Sequence, residues 1–146
     1  MPKYTLLIAF LVGFLLTGCG AEAAPAQALP PAPPDVTTVE LVYLNHGPVR
    51  SVLADIDKLL AGYGEQVYVA RYDVGTPEGE AFVQAKGLTG HTPLAISING
   101  SMEFTMGDRA VKFYSFPQGQ GTFIAADGDW TLDDLRQVLD RLVEQN

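Results

Sequence analysis

Residues 38–60 read TVELVYLNHGPVRSVLADIDKLL, and this stretch decides the fold. Its first seven residues are β-branched, aromatic or apolar apart from Glu40, the composition of a buried strand. After Pro48 the period changes. Val49, Val52, Leu53, Ile56, Leu59 and Leu60 recur at the spacing that lines one side of an α-helix, while Arg50, Asp55, Asp57 and Lys58 take the other side. Asn45-His46-Gly47-Pro48 lies between the two elements, and Gly62 and Gly64 end the helix.

Working outward, residues 66–72 (QVYVARY) read as a second strand, and residues 77–86 as a short helix opened by Pro77 and closed by Gly87. Residues 93–98 (PLAISI) are a third strand, followed by an Asn99-Gly100 hairpin turn. Further strands are expected at residues 101–106, 110–116 and 121–125. Thr131 and Asp134 form a capping box, with Asp where Glu or Gln is usual. Leu132, Leu135, Val138, Leu139, Leu142 and Val143 then make one apolar stripe. Helices between the first strands imply right-handed crossovers and a parallel pair, whereas the Asn-Gly turn implies an antiparallel addition. The expected fold is an α/β sandwich, a mixed central sheet of about four to five strands flanked by three helices, with an extended β-hairpin region toward the C-terminus.

The segment Tyr43-Leu44-Asn45-His46-Gly47-Pro48-Val49-Arg50 resembles the place where thioredoxins carry a strand, Cys-Gly-Pro-Cys and a helix. Gly47 and Pro48 match the inner dipeptide, and His46 and Val49 stand at the two cysteine positions. Tyr72-Asp73-Val74 resembles the end of that family's next strand. Residues 88–100 (LTGHTPLAISING) resemble the loop, cis-proline, strand and turn that follow. The resemblance spans residues 39–100 and resumes at the last helix; residues 110–126 depart from it.

What the resemblance implies chemically is negative first. Dithiol exchange needs an attacking thiolate and a resolving sulfur. Imidazole cannot form the mixed disulfide, and Val49 has no heteroatom. Thiol–disulfide oxidoreductase activity is therefore not expected, and no catalytic residue, metal or cofactor is assigned. The resemblance implies a peptide-binding loop at His91, Thr92 and Pro93 beside the vestigial motif His46, Gly47, Pro48 and Val49. An alternative is a metal- or small-molecule-dependent enzyme or carrier using His46 and His91, and another is an accessory subunit of a redox-competent partner. Alternation predicts Val111, Phe113 and Ser115 on one face and Lys112, Tyr114 and Phe116 on the other, so Phe113, Tyr114 and Phe116 are either core or a partner-docking surface. Asp127, Asp129, Asp133 and Asp134 do not match an EF-hand loop and read as capping groups.

The chain has 146 residues and a formal net charge of −8, with no cluster of Lys and Arg, which excludes nucleic acid as a partner. Residues 4–16 (YTLLIAFLVGFLL) follow Lys3 and are shorter than the roughly 20 residues a membrane-crossing helix needs. They have the length of a signal-peptide core. Leu16-Thr17-Gly18-Cys19 comes next and looks like a bacterial lipobox. The division is then residues 1–18 as signal peptide, residues 19–35 as an Ala/Pro-rich tether beginning at lipidated Cys19, and residues 36–146 as the thioredoxin-like domain. The expected location is the exported side of a bacterial membrane, held by acyl chains worth about 0.8 kcal/mol per buried methylene, with an unidentified protein or peptide as partner. Wild-type protein recovered from membranes is expected to lack residues 1–18 and carry acyl mass, and Cys19→Ser to carry none. Intact-mass measurement decides this, and masses differing only by the substitution would refute it.

Overall fold

The computed structural model describes residues 31–88, 92–121 and 127–146, so the leader, Cys19 and most of the tether lie outside the described residues. In chain order the elements are β1 Thr37–Tyr43, α1 Gly47–Ala61, a short turn of 3-10 helix at Gly64–Gln66, β2 Val67–Asp73, α2 Pro77–Ala85, β3 Leu94–Ile98, β4 Glu103–Met106, β5 Arg109–Lys112 and α3 Leu132–Val143. The central sheet has the order β2-β1-β3. β1 runs parallel to β2, with Thr37 opposite Val67, and antiparallel to β3, with Leu41 opposite Ile96. This is the expected α/β sandwich with three helices and a mixed sheet.

Pleating sorts the side chains. Val39 and Leu41 of β1 and Leu94, Ile96 and Ile98 of β3 share one face of the sheet. They pack with Val49, Val52, Ile56 and Leu60 of α1 and with Leu135, Val138 and Leu139 of α3. Each such side chain contributes about 1.5–3 kcal/mol when fully buried, so this face supplies most of the stability. α2 covers the other face. Phe82 stacks on Tyr72 with ring centroids 3.7 Å apart, and Lys86 reaches Glu40 at 2.9 Å. Among the described residues no helix is long and apolar enough to cross a membrane.

Asn99 and Gly100 make the expected two-residue turn, with φ of 49° and 84°. Asn99 also ends the ladder, its Oδ1 accepting from the Thr38 N–H at 2.8 Å. Beyond the turn, the strands divide differently from the expectation. The chain leaves at Met102 for the separate β4–β5 hairpin and returns at Phe113, whose N–H donates to the Met102 carbonyl at 2.9 Å. The returning segment lines the outer edge of β3: the Ile96 N–H donates to the Phe113 carbonyl, and the Ser115 N–H to the Leu94 carbonyl. Three of the five strands therefore form the central sheet. The strand expected at residues 121–125 falls almost wholly outside the described residues.

An arginine ties the hairpin to each end of α3. Arg109 pairs with the Asp134 carboxylate and donates to the Asp129 carbonyl at 3.0 Å. Arg141, in the last turn, donates to the Thr105 carbonyl at 3.3 Å. Asp134 also closes the capping box, accepting from the Thr131 N–H at 2.8 Å while its own N–H donates to Thr131 Oγ1.

α2 docks where Gly79 meets the end of β2. A Cβ there would overlap the Asp73 carbonyl, whose oxygen already accepts from Thr76 Oγ1 at 2.8 Å. Gly79→Ala is expected to lower stability by about 2 kcal/mol through overpacking. Gly47→Ala, placed in open space, should change it by less than ~0.5 kcal/mol. Urea unfolding midpoints distinguish the two.

Candidate functional site

The joint between β1 and α1 lies beside the start of β3. The Leu44 N–H donates to the Pro93 carbonyl at 3.0 Å, extending the β1–β3 ladder one step past Tyr43. The next residues leave the sheet and turn into α1. His46 is the N-cap, extended at φ −134° and ψ 170°, and its carbonyl accepts from the N–H groups of Val49 and Arg50 at 3.1 and 3.2 Å. Its imidazole makes no capping bond. Asn45, His46, Gly47 and Pro48 are exposed, whereas Val49 is 0% exposed and part of the core.

His46 and Val49 therefore have different environments. His46 faces water at the open end of the helix. Val49 points inward, where an apolar side chain is stabilised by the same packing that holds α1 to the sheet. Neither offers a sulfur, and among the described residues no group of three or more His, Cys, Asp or Glu converges on one point.

The Thr92–Pro93 loop differs from what the resemblance implies. Among the described residues every peptide bond is trans, that preceding Pro93 included. The trans form is the lower-energy state of an X–Pro bond, and here the chain already runs extended into β3. Thr92 is 1% exposed, and its hydroxyl lies 3.3 Å from that of Tyr114. His91 lies outside the described residues, and with it the pairing of His46 and His91.

Within the aromatic segment the expected alternation breaks. Phe113 and Phe116 are both 0% exposed, so neither can serve as an exposed docking surface. The cause is Ser115, whose φ of 65° lies in the left-handed region and resets the phase, turning Phe116 into the core with Phe113. Phe113 meets Trp130 edge-on, centroids 5.4 Å apart, and the Trp130 indole N–H donates to the carbonyls of Tyr114 and Ser115. Tyr114 alone of the three stays half-buried, and its hydroxyl joins the aromatic segment to the Thr92 loop.

Two arrangements carried no sequence signal. Asp127, read as a capping group, instead accepts from the backbone N–H groups of Gly119 and Gly121 and holds that loop. An open groove of about 670 Å³ separates α1 from α3, floored by Leu59 and Leu132. On its wall the Tyr63 hydroxyl donates to Asp140 Oδ1 at 2.6 Å, an interaction across 77 residues. Burial, then the bond to Asp140, pushes the Tyr63 pKa well above the usual tyrosine range.

Among solved structures the chain is similar to chloroplastic thioredoxin z, whose crystal structure is described as defining a type-specific target recognition. The identity is 14%, the match covers 77% of this chain and 82% of that one, and the TM-score is 0.46. No family model and no curated protein matches the chain.

A raised pKa means that the folded protein keeps the Tyr63 proton after the unfolded chain has lost it. The contribution is complete below the unfolded tyrosine pKa of about 10 and declines as pH rises beyond it toward the folded value. The stability difference between wild type and Tyr63→Phe should therefore shrink between about pH 9 and pH 11 in urea titrations. A constant difference would show that the phenol is not held this way.

Proposed function

We propose that this protein is a membrane-anchored, non-redox thioredoxin-like domain that binds a protein or peptide partner on the exported side of the membrane. The observation that carries the reading is the corner itself: exposed Asn45-His46-Gly47-Pro48 at the open end of α1, one hydrogen bond from Pro93, with buried Val49 where a second sulfur would be needed. A surface that keeps the placement of a substrate-binding corner while lacking the atoms for electron transfer is suited to holding a chain rather than oxidising or reducing it. Tyr114, linked to Thr92, extends that surface.

The position of the chain's entry into the domain supports the same reading. β1 begins at Thr37, whose hydroxyl accepts from the side-chain amide of Asn146 at 2.9 Å. The corner lies past the other end of β1, seven residues or about 20 Å away. A tether anchored through Cys19 would enter at the end opposite the corner and leave it open to a partner.

A panel of extended peptides screened against the full chain tests this. Wild type is expected to bind a subset and to show no insulin reduction. Pro48→Asp and Tyr114→Ala should weaken the selected peptides about tenfold or more without changing the fold by circular dichroism. Peptide binding unaffected by either substitution would remove the corner as the binding surface.

A further inference from the structure

The chain holds one cysteine and three methionines. Cys19 and Met1 lie outside the described residues, so Met102 and Met106 carry the sulfur placed within the fold. With no thiol at positions 46 and 49, any sulfur oxidation of the folded domain falls on a thioether. Both methionines are half-buried and therefore reachable from solvent.

Their surroundings differ. Met102 is engaged through its backbone carbonyl, which accepts from the Phe113 N–H. Met106, at the end of β4, has Nη2 of Arg141 3.8 Å from its sulfur and donating toward it. Nη1 of the same guanidinium donates to the Thr105 carbonyl. A thioether is a weak acceptor, so this contact adds little to the link between the hairpin and α3. A sulfoxide oxygen is a far stronger acceptor. Bonded to sulfur on the Arg141 side, it would come within ordinary hydrogen-bond range of a nitrogen that now stands 3.8 Å from the sulfur itself.

We infer that Met106 is a reversible oxidation site whose sulfoxide is held by Arg141. Hydrogen peroxide, or another two-electron oxygen donor, supplies the oxygen. The sulfur lone pair attacks one peroxide oxygen, the S–O bond forms and the O–O bond breaks. The departing hydroxide takes the proton left on the transferred oxygen and leaves as water. Sulfur is oxidised by two electrons and the peroxide is reduced by two; a dithiol-driven sulfoxide reductase reverses the change. Oxidation of a methionine in a sealed core loosens packing. At Met106 the arginine receives the new dipole, so the link between β4 and the last turn of α3 tightens instead.

The test treats the full chain with hydrogen peroxide, maps added oxygen by proteolysis and mass spectrometry, and records thermal melts before and after. The variants are Arg141→Leu, Met106→Leu and the two combined. Oxygen is expected on the Met106 peptide. The Tm gap between wild type and Arg141→Leu should widen on oxidation by about 3 °C, and the widening should vanish when Met106 is leucine. Oxygen confined to Met102, a gap that stays constant or narrows, or a widening that persists without Met106 would overturn the inference. Where Arg141→Leu does not fold, Arg141→Lys, which keeps the charge but loses the planar fork, runs through the same cycle with the same expected sign.

Discussion

β1 is enclosed on every side, and the rest of the molecule is arranged around that enclosure. One edge takes β2 in parallel and the other takes β3 antiparallel. One face lies under α1 and α3, the other under α2, and Thr37, Val39, Leu41 and Val42 are at most 1% exposed. A strand buried this way must have its backbone groups paired along both edges, because an orphaned N–H or carbonyl in an apolar interior costs about 1–3 kcal/mol. The two ladders meet that demand. They also bring the C-terminal end of β1, the start of α1 and the start of β3 together at one corner.

The hairpin and the last helix meet a second demand. Central residues of the chain's final third, Phe113, Phe116 and Trp130, need cover that the three-stranded sheet does not provide. The β4–β5 excursion supplies it, with Phe104 lying 5.7 Å from Phe113. Asp134 is buried to 4% exposure, paired with Arg109 and bonded to the Thr131 cap. A carboxylate so deep is tolerable because it is both paired and hydrogen-bonded. That pair fixes the hairpin against the start of α3, as Arg141 fixes it against the end.

At the corner, His46 and Val49 sit in opposite environments. Val49 is part of the core, held by the packing that joins α1 to the sheet. His46 is exposed at the helix start and makes no capping bond through its side chain. The polar contact between Thr92 and Tyr114 ties the neighbouring loop to the segment that lines β3. Two parts of the chain 22 residues apart in sequence are thereby joined.

Much of this was legible in the residues. Strand and helix periods placed β1, α1, β2, α2, β3 and α3 within a residue or two. Thr131 with Asp134 and Asn99 with Gly100 marked a cap and a turn, because all these signals act over spacings of four residues or fewer. The Asn45–Pro48 joint between strand and helix was equally plain, because the hydrophobic period changes there from that of a strand to that of a helix. What only the tertiary structure decided involves partners the local pattern does not contain. Arg109 finds Asp134 across 25 residues, and Tyr63 finds Asp140 across 77. Ser115 adopts a positive φ because the segment must both pair with β3 and bury Phe116, a conflict that strict alternation cannot resolve. Local periodicity sets which residues share a face; which face is sealed depends on what the rest of the chain brings against it.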